Sequence, residues 1–187
     1  SWGLNDLKIS SRKIDIVVSD KQIFIFTNVS YNDDKLIVST QYRVGSKGME
    51  IDKNVINNCP GETIPRIGLS LILPGDKQHI TWYGRGPWEN YADRKEAAHI
   101  GCYSSTVSQQ YTPYVKPVEC GGKEDVRYLL VQDTGRCGLR ISGGVPFHFD
   151  IHDYSVEACD IAMYEHELIK DEYIHLNIDH KHAGLGG

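Results

Sequence analysis

Alternation of apolar and polar side chains over residues 13–31, KIDIVVSDKQIFIFTNVSY, constrains this chain more than any other feature. A period of two puts every second side chain on one face of an extended strand, whereas a helix gathers a face at spacings of three and four. The pattern is interrupted at Ser19-Asp20-Lys21, so the segment reads as two strands joined by a short turn. KLIVSTQYRV (35–44) repeats it, and GSKG (45–48) reverses the chain into MEIDKNVIN (49–57). IPRIGLSLILP (64–74) and HITWYG (79–84) follow, with no intervening helix long enough for a parallel crossover. These segments predict a meander of antiparallel strands with one face buried.

Beyond residue 87 the texture changes. ENYADRKEA allows a short helix at 91–99 capped by Asn90 or Asp93, and YTPYVKPVECGG (111–122), with two prolines and a Gly-Gly pair, reads as an extended loop. DVRYLLVQD (125–133) and CGLRISG (137–143) are strands around a turn at Thr134-Gly135, and FHFDIHDYS (147–155) alternates again. VEACDIAMYEHELI (156–169) is the one amphipathic helical segment, begun near Ser155, before a last strand in YIHLNIDHKHAGLGG (173–187). With no repeat or linker, the 187 residues are expected to form a single domain, 1–187, of all-β class with a short helical decoration.

The charge balance, 20 Lys and Arg against 25 Asp and Glu, argues against a nucleic-acid partner. No stretch approaches the roughly 20 apolar residues of a membrane span. The N-terminus lacks the charged-then-apolar order of a signal peptide, and beginning at Ser1 fits a processed chain or an excised fragment. The compartment stays open between cytoplasm and periplasm. Five cysteines without a Cys-x-x-Cys pair read as reduced, buried small hydrophobes.

WYGRGPWENYADRK (82–95) carries the densest chemistry. It lacks the G-x-x-x-x-G-K-S/T of a phosphate loop and reads as a strand-end turn. Arg85 and Arg94 have acidic neighbours in Glu89 and Asp93, and the Tyr91 hydroxyl joins the same expected network. Trp82 and Tyr83 fall on opposite strand faces, so at least one belongs to the core. Trp88, on the turn, is the candidate platform for a sugar ring, with Tyr114 as its companion. His148 and His152 share one strand face and His180 and His182 lie near the end, but zinc needs three or four convergent ligands, so no metal is assigned. There is no G-x-S-x-G elbow for a serine nucleophile. Cys120 before Gly121-Gly122 looks accessible but has no marked histidine partner. The carboxylate pairs Asp150 with Asp153 and Asp179 with Glu89 are open candidates for acid/base work, to be decided by separation in space.

WYGRGPWENYADR, YTPYVKPVECGGKEDVRYL and LNIDHKHAGLGG, in this order and at these separations, resemble the C-terminal domain of large bacterial β-galactosidases of glycoside hydrolase family 2. The resemblance runs from about Trp2 to the end. It implies a large antiparallel β-sandwich of the galactose-mutarotase-like supersandwich type, truncated here at both ends. It also implies a retaining parent enzyme that hydrolyses terminal β-D-galactosides with two glutamates, both in a catalytic barrel that no segment here resembles. No catalytic residue is therefore expected in this chain. Gly84, Gly86, Pro87, Glu89, Tyr91, Asp93 and Arg94 match the first family block, and Tyr111, Pro113, Pro117, Glu119 and Gly121 the second. Asn177, Asp179, Gly184, Gly186 and Gly187 match the third, with His182 leaning toward the substrate mouth. The aromatic acceptor platform of the family lies beyond the GLGG block. The implied role is to buttress the barrel and shape the substrate entrance, with a weak carbohydrate-binding module or a purely structural, assembly domain as alternatives. Implied partners are the other domains of the same polypeptide, the parent's galactoside, and further copies in a homo-oligomer. Magnesium and sodium are implied for the parent, and no cofactor for this chain.

Overall fold

The computed structural model describes residues 6–59, 61 and 63–184. Gly186 and Gly187, matched above to the third block, lie outside the described residues, as does Trp2. The chain divides into two compact units, 1–64 and 65–187, each with its own antiparallel sheet.

The first unit is a four-stranded meander of β1 (Ile9–Val18), β2 (Gln22–Tyr31), β3 (Leu36–Gly45) and β4 (Gly48–Asn57). Registers Ile16↔Ile25↔Tyr42↔Ile51 and Lys13↔Asn28↔Ser39↔Asn54 gather one apolar and one polar cross-strand row, as the period-two pattern requires. Two expectations need correction. The expected meander continues through residue 84, but the observed one ends with β4. Alternation marks strands without saying which strands pair: the next strand in sequence, 66–74, pairs with the last, 173–182, and the one after it, 79–86, lies between 99–106 and 123–132. Nor is one face fully buried: β1 is exposed along its whole length, Ile14 and Ile16 included.

The second unit is a six-stranded sheet in the order β5-β10-β9-β8-β6-β7. Its strands are β5 (Arg66–Pro74), β6 (His79–Gly86), β7 (His99–Thr106), β8 (Lys123–Gln132), β9 (Gly138–His152) and β10 (Tyr173–His182). Two segments read as separate strands, 137–143 and 147–155, run together as β9. The core gathers Ile80, Trp82, Leu129, Val131, Phe149, Ile151, Ile174 and Leu176. Burying each such side chain contributes about 1.5–3 kcal/mol. In β9, Phe147, Phe149 and Ile151 face this core, so His148, Asp150 and His152 face the other way; yet all six residues are buried. A slip of one residue would drive the polar three into the core, which pins the register.

The helical expectations hold only in part. Residues 91–99 form no helix: Tyr91 and Arg94 make an isolated antiparallel bridge, and Arg85 Nη1 takes the carbonyls of Lys95 and Ala98 at 3.1 and 2.8 Å, which a helix would need for its own ladder. Helix α1 (Val156–Ile161) does start at Ser155, whose Oγ accepts the Ala158 N–H at 3.2 Å. It stops after six residues because Tyr164 and Glu167 cap a separate 3-10 turn at Glu165–Glu167. Ile161 and Ile169 are exposed, so the segment expected as one amphipathic helix buries no continuous stripe. Among the described residues no helix is long and apolar enough to cross a membrane.

Candidate functional site

The polar face of β9 and β10 is covered by the segment after β6 (87–98) and the extended loop 111–122. Close approach depends on glycine. A Cβ on Gly122 would stand 2.5 Å from His148 Cε1 and 2.6 Å from Tyr91 Cε1. At Gly184 the backbone takes φ +91°, and a Cβ there would meet the Asp93 carboxylate at 2.4 Å. The loops therefore close over the sheet only where these side chains are missing.

Glu89 organises the upper layer. Its carboxylate accepts Thr112 Oγ1 at 3.0 Å, the Gly121 N–H at 2.8 Å, Arg94 Nη2 at 2.5 Å and the Tyr114 hydroxyl. Arg94 Nη2 also donates to the Tyr114 oxygen at 2.7 Å, and its guanidinium lies over the Tyr91 and Tyr114 rings. Burial works against the Glu89 charge, but the donors of Tyr114, Gly121, Thr112 and Arg94 outweigh it and hold the carboxyl below its usual range. Tyr91 is fully buried, with its pKa pushed up by burial, and its hydroxyl accepts the Gly122 N–H at 3.1 Å. Trp88 stands at the rim, 81% exposed.

Two details differ from the expected network. Arg85 pairs with Asp125 at 2.6 Å, not with Glu89 or Asp93, because it belongs to strand β6 and faces the start of β8. The Tyr91 hydroxyl serves the Gly122 backbone, while its ring meets Arg94. Trp82 is the core member of the pair Trp82 and Tyr83, the latter being 40% exposed.

Arg66 organises the lower layer. It reaches Asp179 Oδ2 from Nε at 2.8 Å, Asp150 Oδ2 from Nη2 at 2.5 Å and Glu119 Oε1 from Nη1 at 3.0 Å. Asn177 donates to Asp150 at 2.7 Å and accepts from Ser70 at 2.6 Å, so the row across β5, β10 and β9 is linked. Burial raises the Asp179 carboxyl despite Arg66, whereas Glu119, also opposed by burial, is held low by His182 and Arg66. His182 Nε2 lies 2.8 Å from Glu119 Oε1, which raises the imidazole pKa. Its ring stacks on His148 with centroids 4.8 Å apart, and Tyr91 packs on both. His180, by contrast, is exposed.

Of the sequence candidates, Glu89, Tyr91, Arg94 and Tyr114 come together in the upper layer, and Asn177, Asp179 and His182 in the lower. Asp93 stands against Gly184. Each member of the two proposed carboxylate pairs has a cation partner: Arg66 for Asp150 and Asp179, Lys170 for Asp153 and Arg94 for Glu89. The carboxylates that do converge, Asp150 and Asp179, share Arg66. Cys120 is buried, not accessible, with its thiol pKa raised by that burial. His152 hydrogen-bonds the Cys120 carbonyl at 2.8 Å. Sequence reasoning missed Arg66 and Lys123. Arg66 meets partners 53 to 113 residues away, and no local pattern announces that. Lys123 is 2% exposed, donates to the Gly121 carbonyl at 2.7 Å and sits over the Trp82 ring.

The family model described as "Beta galactosidase small chain" matches residues 3–187. A protein of Vibrio cholerae named beta-galactosidase is 33% identical over 189 residues, covering 99% of this chain and 18% of the relative. Proteins of the same name from Psychromonas ingrahamii and Pseudoalteromonas haloplanktis are each 37% identical, over 160 and 151 residues, covering 84% and 79% of this chain and 15% and 14% of the relatives. The chain thus spans less than a fifth of the length of these relatives.

Proposed function

This chain belongs to the β-galactosidase small chain family, and from that premise we propose that it is the non-catalytic domain of a retaining β-galactosidase, buttressing the catalytic domain and shaping the substrate entrance. The observation that carries this reading is the fate of the acidic groups. Retaining hydrolysis needs two carboxyl groups about 5 Å apart with room for a sugar between them. Here Asp150 and Asp179 are locked onto one guanidinium, and Glu89 is saturated by Tyr114, Thr112, Gly121 and Arg94. Such carboxylates rigidify loops and have no freedom to attack or protonate a substrate. The network holds residues 87–94 and 112–121 in place and presents Trp88 outward.

The same premise supports reading 1–187 as one β-sandwich domain of the galactose-mutarotase-like type, because the family match runs unbroken across both compact units. Partners follow as the remaining domains of the parent polypeptide and further copies of it. The magnesium and sodium that the resemblance implies for the parent do not fit this chain's polar cluster. These hard cations take oxygen ligands, whereas the cluster offers two imidazoles, and the guanidinium of Arg66 already occupies Asp150 and Asp179.

Replacement of the matching segment in the Vibrio cholerae relative by this chain tests the reading. The chimera should hydrolyse a chromogenic β-galactoside, and Glu89→Gln with Arg94→Met should reduce that activity. Full activity in the double variant would remove the supporting role from the network. A second reading, direct sugar binding, rests on the exposure of Trp88, whose sequence neighbour Glu89 holds the Tyr114 hydroxyl. It requires a saturable, galactose-dependent fluorescence change in this chain that Trp88→Ala abolishes.

A further inference from the structure

The two stacked histidines have a geometry that hydrogen bonding alone leaves incomplete. His148 is 2% exposed, and its Nδ1 lies 2.9 Å from Glu124 Oε1. A carboxylate in that position holds the ring proton on Nδ1 and leaves a lone pair on Nε2. His148 Nε2 is buried and has no hydrogen-bond partner among the described residues. Leaving such an acceptor unsatisfied costs about 1–3 kcal/mol unless something else takes the lone pair.

Two further ligand groups stand beside this imidazole. Glu119, His148 and His182 each offer one donor atom, and the three donors lie within 4.8 Å of one another. Ligands about 2.0–2.1 Å from a tetrahedral metal stand about 3.3 Å apart, so small side-chain rotations close the set. The surroundings favour a cation. Arg66 alone holds the carboxylates of Glu119, Asp150 and Asp179, and Glu124 adds a fourth carboxylate on the far side of His148, so acidic groups outnumber Arg66 and the neighbouring Lys123. A second triad of His148, Asp150 and Asp179 meets the same limit; Arg66 holds its carboxylates as it holds Glu119, but it offers one imidazole where the first offers two.

We propose that His148, His182 and Glu119 form a binding site for one divalent transition-metal ion of the zinc class, with Glu124 as the carboxylate that orients His148. Two imidazoles and one carboxylate suit Zn²⁺ or Co²⁺ and not Mg²⁺ or Ca²⁺, which take oxygen ligands. For the ion to bind Nε2, the His182 ring changes tautomer: the proton that Nε2 directs at Glu119 leaves to solvent as Nδ1 takes one up, with no net proton release from this ring, and the 3.0 Å contact from the Gly184 N–H to Nδ1 is given up. Its effect is a staple: Glu119 lies in the extended loop, His148 in β9 and His182 at the end of β10. The metal ties together the three segments that shape the polar cluster. This inference needs no sugar and no partner domain, so it stands or falls apart from the proposed function.

The test is Co²⁺ titration of the full chain under reducing conditions, read by visible d–d absorption, with Zn²⁺ competition and a Mg²⁺ control. The expected result is one Co²⁺ per chain with a tetrahedral-type spectrum, displaced by Zn²⁺ and indifferent to Mg²⁺. His148→Gln and His182→Gln should abolish it, Glu124→Gln should weaken it about 10–100-fold, and His79→Gln, an exposed-site control, should leave it unchanged. Should the buried-histidine variants lose their circular dichroism, X-ray absorption of the wild-type Zn²⁺ complex decides instead: two imidazoles and an oxygen support the site. A sulfur ligand, from exposed Cys102 or Cys137, overturns it. So does a signal that survives loss of either His148 or His182 in a folded variant, or the lack of any stoichiometric Co²⁺ uptake.

Discussion

Removing Arg66 should destabilise the chain far more than its partly exposed position suggests. Its guanidinium is the shared counter-ion of Asp150 and Asp179, whose side chains are 2% and 3% exposed, and it also supports Glu119. Arg66→Met keeps much of the apolar stem and orphans those charges. Breaking a buried ion pair from one side costs about 3–5 kcal/mol. An independent bound agrees: an orphaned carboxylate escapes by taking up a proton, and protonating a group of pKa about 3.9 at pH 7 costs roughly 4 kcal/mol. At pH 5 the same escape costs only roughly 1.5 kcal/mol. The sign follows. Asp179 already has its folded pKa raised by burial, and loss of Arg66 raises it further, so the folded variant binds more protons than the unfolded chain and regains stability as pH falls toward 5. Urea unfolding followed by tryptophan fluorescence, with Trp82 buried in this unit, measures both values. The expected cost is about 3–5 kcal/mol at pH 7 and clearly less at pH 5, with Asp150→Asn and Asp179→Asn in the same chain restoring part of the loss. A cost below about 1 kcal/mol, or one independent of pH, would refute the shared counter-ion.

Three other substitutions probe the loops and the buried lysine. Glu89→Gln should cost about 1–3 kcal/mol by weakening the donors that converge on it; because the wild-type carboxyl is held below its ordinary 4.5, the wild type should lose stability as pH falls below that value while the variant shows a flatter acid limb in urea unfolding. Burial lowers the Lys123 pKa to about 8 from 10.5. The unfolded chain therefore binds more protons between those values, and wild-type stability should rise by roughly 3 kcal/mol over that window relative to Lys123→Met, measured by unfolding at pH 7.5 and 10.5. Gly122→Ala should cost about 1–3 kcal/mol in the same assay, since its methyl would press on the His148 and Tyr91 rings.

Strand positions were legible wherever alternation was clean, and β1 through β4 appear where KIDIVV, QIFIFT, KLIVST and MEIDKN place them. Pairing was not, because the side-chain period is identical for every strand. The union of β5 with β10 is set by partners such as Arg66 and Asp179, 113 residues apart. FHFDIH shows both sides of this limit. Its alternation predicted the strand, but its polar residues would normally face water, and only the covering loops make His148 and Asp150 buried. The upper site was more legible, since Glu89, Tyr91 and Arg94 are close in sequence and Tyr114 belongs to a recognisable block. Helix length was misread where exposed Ile161 and Ile169 imitated an apolar stripe.

The most direct measurement of the central claim is hydrolysis of a chromogenic β-galactoside by three samples: this chain alone, the Vibrio cholerae relative lacking its matching segment, and the two mixed. A supporting, non-catalytic domain predicts activity confined to the mixture. Hydrolysis by this chain alone, proportional to its concentration and lost on mutating one of its own carboxylates, would contradict it.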